Sequence, residues 1–221
     1  MEYQYQVLTM SKHIHFSLYN FLNALGQLIA LSILWAVCSL PVITIGASST
    51  ALYYAVVKVV RRDRGSVLQS FFGAFRSNFW QSLTVNMMFL CYFAVLAFLA
   101  TPKILAWDGS DISLYIIAGF ALLGACPMVL CWPVISRFYH RGPQFLRFLL
   151  LLTARHTHVP LISGALLIAG GVMVLSNGAA LIFVPGLYAY AQSMLLEPVF
   201  QKYSNQDDPA GYETWYEEAD T

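Results

Sequence analysis

The sequence predicts an all-α fold: a polytopic transmembrane helical bundle of six membrane-crossing helices, two of them short and set after proline turns, with interfacial amphipathic segments. Three observations predict it. Of the 221 residues, 58% are hydrophobic and only 10% are charged, whereas a soluble chain usually carries about 25% charged residues. Four apolar runs (21–40, 80–101, 112–135 and 159–184) are long enough, at about 1.5 Å per residue, to cross a hydrocarbon core of roughly 30 Å. The basic residues sort to one side once two shorter runs, 48–60 (44–61 with its ends) and 186–202, are counted as crossings.

The N-terminal 20 residues are mostly polar, and the apolar run that follows is too long for a signal-peptide core, so the first helix is expected to stay. That run ends at Pro41, which denies the helix a donor. The stretch "SLPVITIGASST" then turns the chain, with Thr44 or Ser48 expected to cap the second helix. Gly46, Ser48, Ser49, Thr50 and Ala51 make a small-residue patch, suited either to close helix contact or to ligand binding. The second helix is short because Lys58 takes its charge to the interface while its stem stays in lipid. Pro185 and Gly186 repeat the turn before the last crossing, and Pro185 precedes Lys202 by 17 residues, as Pro41 precedes Lys58. Weak internal symmetry follows.

Between the second and third crossings, Leu68, Phe72, Phe75 and Phe79 recur every three or four residues opposite Gln69, Arg76 and Asn78. This reads as an amphipathic helix lying in the inner interface, before the crossing from 80. The fourth run holds Pro127 and Pro133, which kink or break it, and a break would open backbone to a substrate. The stretch that follows, "FYHRGPQFLRFLLLLTARHTHVPL", is more apolar and is expected to be partly buried in protein. Gly164, Gly170, Gly171 and Gly178 on the fifth crossing form a second small-residue set.

With the N-terminus inside, Lys12, the cluster from Lys58 to Arg76, the cluster from Arg137 to Arg155, and Lys202 are all cytoplasmic. These are eleven of the twelve basic residues, and Lys103 alone lies outside. Both termini are therefore expected in the cytoplasm of a multi-pass cell-membrane protein. Residues 1–203 read as one transmembrane domain and 204–221, with six acids and no base, as a solvated cytoplasmic tail.

Candidate chemistry is sparse. The net charge of +1 excludes a strongly basic nucleic-acid footprint. The four cysteines (Cys38, Cys91, Cys126, Cys131) lie in apolar runs without a CxxC, so neither a disulfide framework nor a zinc site is expected. His13 with His15, and His156 with His158 beside Arg155, read as a metal or pH-sensing cluster or as interfacial anchors; their i, i+2 spacing puts partners on different helix faces. Glu197 is the one acid inside an expected span, hence a possible functional acid. Its place near Lys202 and Pro198 also allows it to reach interfacial water. No GxSxG, HExxH, Walker loop or close acid pair occurs, and Ser136 beside Arg137 and His140 stands alone. No enzyme, cofactor or metal is expected.

In order and spacing, "LGQLIALSILWAVCSLPVITIGASSTALYYAVVKVVR", "SFFGAFRSNFWQS", "PVISRFYH" and "VPGLYAYAQSMLLEPVFQKY" resemble the YesL-like family of bacterial integral membrane proteins of unknown function. The resemblance runs from about Phe16 to Tyr203, and "ARHTHVPL" looks like the family's stretch before the fifth crossing, with an extra His156. It carries over no activity and no catalytic residue. It implies a gene neighbourhood of carbohydrate ABC importers and polysaccharide-degrading enzymes. Two functions follow as expectations: a non-catalytic accessory or regulatory partner of a carbohydrate ABC importer permease, or a small solute transporter or channel acting on its own. The lipid bilayer is the one certain neighbour, no nucleic acid is expected, and the oligomeric state is left open.

Overall fold

The computed structural model describes residues 21–105, 112–138 and 143–207. Among them are seven α-helices and no strand: α1 (Phe21–Cys38), α2 (Ile45–Ala55), α3 (Val67–Leu105), α4 (Ile112–Arg137), α5 (Pro143–Arg155), α6 (His158–Ser176) and α7 (Val184–Asp207). Five helical spans are long and apolar enough to cross a membrane: α1, Val42–Arg61 around α2, α3, α4 and α6. The fold is a helical bundle of a multi-pass membrane protein. α7 is long enough to be a sixth crossing, but Gln192, Ser193 and Glu197 on its buried side keep it out of the most apolar class.

The helix expected to be a short return limb is the centre of the bundle. The span around α2 is 61% buried against 17% for each of the other four, and α2 packs on α3, α4 and α7. Small residues make this possible: Gly46, Ala47, Ser48, Thr50, Ala51 and Ala55 are all buried and let neighbouring helices approach. Two cores result. One lies between α1, α2, the start of α3 and α7, around Leu31, Ala51, Val56, Phe71 and Ala189. The other gathers Tyr53, Val57, Phe89, Leu130, Val134 and Phe200, with Phe145, Leu149 and Leu152 of α5 closing it. The α5 stretch is thus partly buried in protein, as its apolar sequence leads one to expect.

Proline does what its chemistry dictates at the first turn, but the cap differs. After Pro41 a 3-10 turn, Val42–Thr44, runs straight into α2, so the Thr44 amide already donates to Pro41 O at 2.9 Å. The Thr44 hydroxyl instead turns back to the carbonyls of Cys38 (2.6 Å) and Pro41 (2.7 Å). Ser48 Oγ lies against Thr44 O, Ile45 O and Ser39 Oγ. Neither side chain caps α2; both tie the turn to the end of α1. At its other end α2 opens into a π-turn, Val56–Arg61, closed by Arg64 N donating to Lys58 O at 3.1 Å. Half-buried Lys58 sets its ammonium over the Tyr54 ring, 5.6 Å from the centroid.

Two segments run on where the sequence left room for a break. The segment around Leu68–Phe79 is not separated from the crossing after it: α3 runs unbroken for 39 residues, about 58 Å, nearly twice a hydrocarbon core. No proline interrupts it before Pro102, and its first turns are held by Phe71 and Ala74, buried with Leu28 and Val56 in the first of the two cores. Leu68 and Phe72 stand exposed, while Phe75 and Phe79 are half-buried in an aromatic ladder running on to Trp80. Nor do Pro127 and Pro133 break α4, which is helical through both.

Candidate functional site

Three elements bring their polar side chains to one buried point. Tyr53 comes from the last turn of α2, Arg137 from the last residue of α4 and Glu197 from the middle of α7. Arg137 Nε donates to Glu197 Oε1 at 3.0 Å and its Nη2 meets Oε2, a two-pronged pair. Tyr53 Oη donates to the same Oε1 at 3.2 Å. The side chains of Arg137 and Glu197 are 4% and 5% exposed, so the carboxylate does not reach interfacial water. Its burial is offset by a planar guanidinium matched to both oxygens. One turn away on α7, Arg61 Nη1 donates to Ser193 O at 2.8 Å. The π-turn thus presents Arg61 to α7 and ties it across helices.

Chemically this is a lock. Three donors occupy the carboxylate of Glu197, and a proton or solute must break the Arg137 pair to use it. The pair joins residues 60 positions apart and Tyr53 adds a partner 144 positions away.

Above the lock, toward the Pro41 and Pro185 turns, a cavity of about 470 Å³ opens between α1, α2, α4, α6 and α7. This is within the usual range of small-molecule pockets, about 300 to 1,000 Å³. Tyr53 and Gln192 line it toward the lock, and Trp35, Trp132 and Tyr188 line its sides. Trp35 Nε1 donates to Ser49 Oγ at 3.0 Å, which fixes α1 to α2 along its wall. Tyr53 belongs to both places: its ring faces the cavity and its hydroxyl holds Glu197.

The expected turn residues gather around the start of α2. A side chain at Gly46 would sit 2.8 Å from the Trp132 ring and 3.0 Å from Ser82 O. Thr50 Oγ1 bonds Gly46 O at 2.9 Å and pairs with Ser82 Oγ at 3.1 Å. Gly186 is held as closely: a β-carbon there would lie 2.6 Å from Leu28 O, and its amide donates to Ser32 Oγ at 2.9 Å. The α6 glycines behave otherwise. A β-carbon at Gly164 or Gly171, or at Gly178 in the 3-10 turn that follows α6, would have nothing within 4 Å, one at Gly170 would meet only Val184, and Gly170 with Gly171 forms cavity wall.

His156 and His158 stack edge to face at 5.9 Å, and His156 Nε2 lies 3.3 Å from Tyr203 Oη. Burial and the neighbouring His158, Arg155 and Lys202 push His156 below the usual imidazole range. Among the described residues no group of three or more His, Cys, Asp or Glu gathers to hold a metal. His13 and His15, and the tail from 208 onward, lie outside the described residues.

Sequence reasoning missed Arg137, Tyr53, Gln192 and Asn86. The last donates to Val42 O (3.3 Å) and Ile43 O (3.2 Å) and so staples the proline turn to α3. The available signal was their position: each is a polar group inside or at the edge of an apolar run.

A family model described as a protein of unknown function, DUF624, matches residues 28–99. That span holds the proline turn, Tyr53, Arg61 and Asn86, whereas Arg137, Tyr188, Gln192 and Glu197 lie beyond it. No curated protein and no solved structure matches the chain.

Proposed function

We propose that this chain is a non-catalytic protein of the cell membrane, of the YesL-like kind, acting as an accessory or regulatory partner of a carbohydrate ABC importer. The observation that carries the non-catalytic reading is the lock itself. Arg137, Glu197 and Tyr53 are spent on one another, holding α2, α4 and α7 in one arrangement, which suits a rigid docking body. The importer is supported by the resemblance and the gene neighbourhood it implies. Purification with the permease encoded nearby is the test: a stable complex of fixed stoichiometry is expected, and recovery of each protein alone would overturn the reading. Both termini face the cytoplasm in this reading, because eleven of twelve basic residues then lie inside. Labelling of a cysteine placed at position 210 by an impermeant reagent on intact cells would overturn that orientation.

The cavity favours a second reading, a small solute transporter acting alone. Flux of a small solute into liposomes holding only this protein would support it, and Tyr53→Phe would then change the rate.

A further inference from the structure

We propose that the cavity above Tyr53 takes one acyl chain of a bilayer glycerophospholipid, entered sideways from the membrane, with the ester carbonyl held by the Tyr188 hydroxyl. Its walls decide the chemistry. Leu52, Met128, Leu167, Val174 and Val184 are typical of the lining, and no charged side chain is part of it. A sugar would leave several hydroxyls without partners there, each at a cost of about 1 to 3 kcal/mol. A free fatty carboxylate would be buried without a cation. A hydrocarbon chain asks for nothing.

The mouth decides the route. Leu166, Leu167, Leu175 and Leu181 line the cavity and are also exposed on the outside of the protein. They make an apolar rim along α6 and the 3-10 turn before α7, on the surface that a bilayer would cover. Ile45, Ser49 and Tyr53 mark successive turns of α2 along the cavity, a depth of about 12 Å.

The head end follows from one unmet donor. Trp35 is bonded to Ser49 and Gln192 to Val129 O, but the Tyr188 hydroxyl has no hydrogen bond among the described residues. It lies one turn inside α7, as Ser49 lies one turn inside α2 and Trp35 one turn from the end of α1. Trp and Tyr at such a level sit where chain meets headgroup in a bilayer, which is where a diester lipid carries its carbonyl.

The test uses the full chain in phospholipid vesicles containing a diester phospholipid with a diazirine in mid-chain. After photolysis, label is expected on the α6 and α7 peptides that line the cavity, out of proportion to the α3–α4 surface, whose spans are as exposed as α6. Gly171 gives the control: it lines the cavity with open space around it, so Gly171→Phe fills the site and should cut cavity label severalfold at unchanged thermal stability. Label spread evenly over exposed apolar surfaces, or unchanged in a folded Gly171→Phe, would overturn the site. A second measurement stands without that variant. Wild type should take more label from the diester probe than from its diether analogue, and Tyr188→Phe should remove the difference. Equal labelling by both probes in wild type would overturn the assignment of Tyr188.

Discussion

The side-chain amide of Gln192 donates to the carbonyl of Val129 at 3.0 Å, and that carbonyl is the one Pro133 leaves without an intrahelical donor. A proline at position 133 cannot bond residue 129. In a bilayer the orphaned oxygen has no water to turn to, so another helix supplies the donor. This explains how α4 stays helical through Pro133 and why a glutamine sits buried on α7.

Gln192→Leu should therefore lower stability by about 1 to 3 kcal/mol, the cost of an unmade buried bond. In a Pro133→Ala background the carbonyl regains its own donor, and the same change should cost clearly less. Thermal unfolding in detergent of the four proteins of this cycle measures the coupling. Simple additivity would show that the two residues do not share the carbonyl.

Gly46 and Thr50 separate bulk from chemistry. Gly46→Leu must displace the Trp132 ring and meets the Ser82 carbonyl, so a loss of about 1 to 3 kcal/mol or more and a lower folded yield are expected. Thr50→Val keeps the shape and gives up the Ser82 contact, about 1 kcal/mol. Yield and melting temperature in detergent rank the two. A Thr50→Val protein less stable than Gly46→Leu would overturn the packing argument.

Phe71 and Phe72 are neighbours in sequence and opposites in structure: the first is fully buried and the second 48% exposed. Phe71→Ala should cost about 3 to 5 kcal/mol, and Phe72→Ala far less in detergent. Comparable losses would mean that α3 is rotated from the position described.

That pair also marks how far the sequence was legible. Run length and charge sorting gave away a membrane-spanning helical bundle, because they are properties of each segment alone. Four phenylalanines between 71 and 79 allow two helical faces, and only the packing of α2 against Phe71 and Ala74 chooses between them. The central place of α2 was hidden for the same reason: its small residues look unremarkable until helices close around them. Glu197 stood out as an acid in an apolar run, but its partner lies 60 residues away. Arg137 reads as a loop cation because it ends its apolar run, and nothing local turns it inward.

The ion pair gives the last prediction. Removing Arg137 leaves the Glu197 carboxylate buried with only Tyr53 to hold it, so Arg137→Met should destabilise the protein by about 3 to 5 kcal/mol. Glu197→Gln leaves the Arg137 cation buried beside a neutral group, and a loss of similar order is expected. Removing both charges together should be mild, because a buried pair replaced by apolar groups of like size often leaves stability unchanged or higher. Arg137→Met with Glu197→Leu is therefore expected to recover most of what either single change loses. Tyr53→Phe, which deletes one bond to a charged group, should cost about 1.5 to 3 kcal/mol in wild type. In the double variant it should cost little, since the acceptor is gone. Thermal stability in detergent reads all five variants against wild type. If the double variant is as unstable as the sum of its parts, Arg137 and Glu197 are not coupled and the pair is not what joins α4 to α7. Co-purification of the permease with the double variant then separates a stability role from a docking role: a folded double variant that still binds places the docking surface elsewhere.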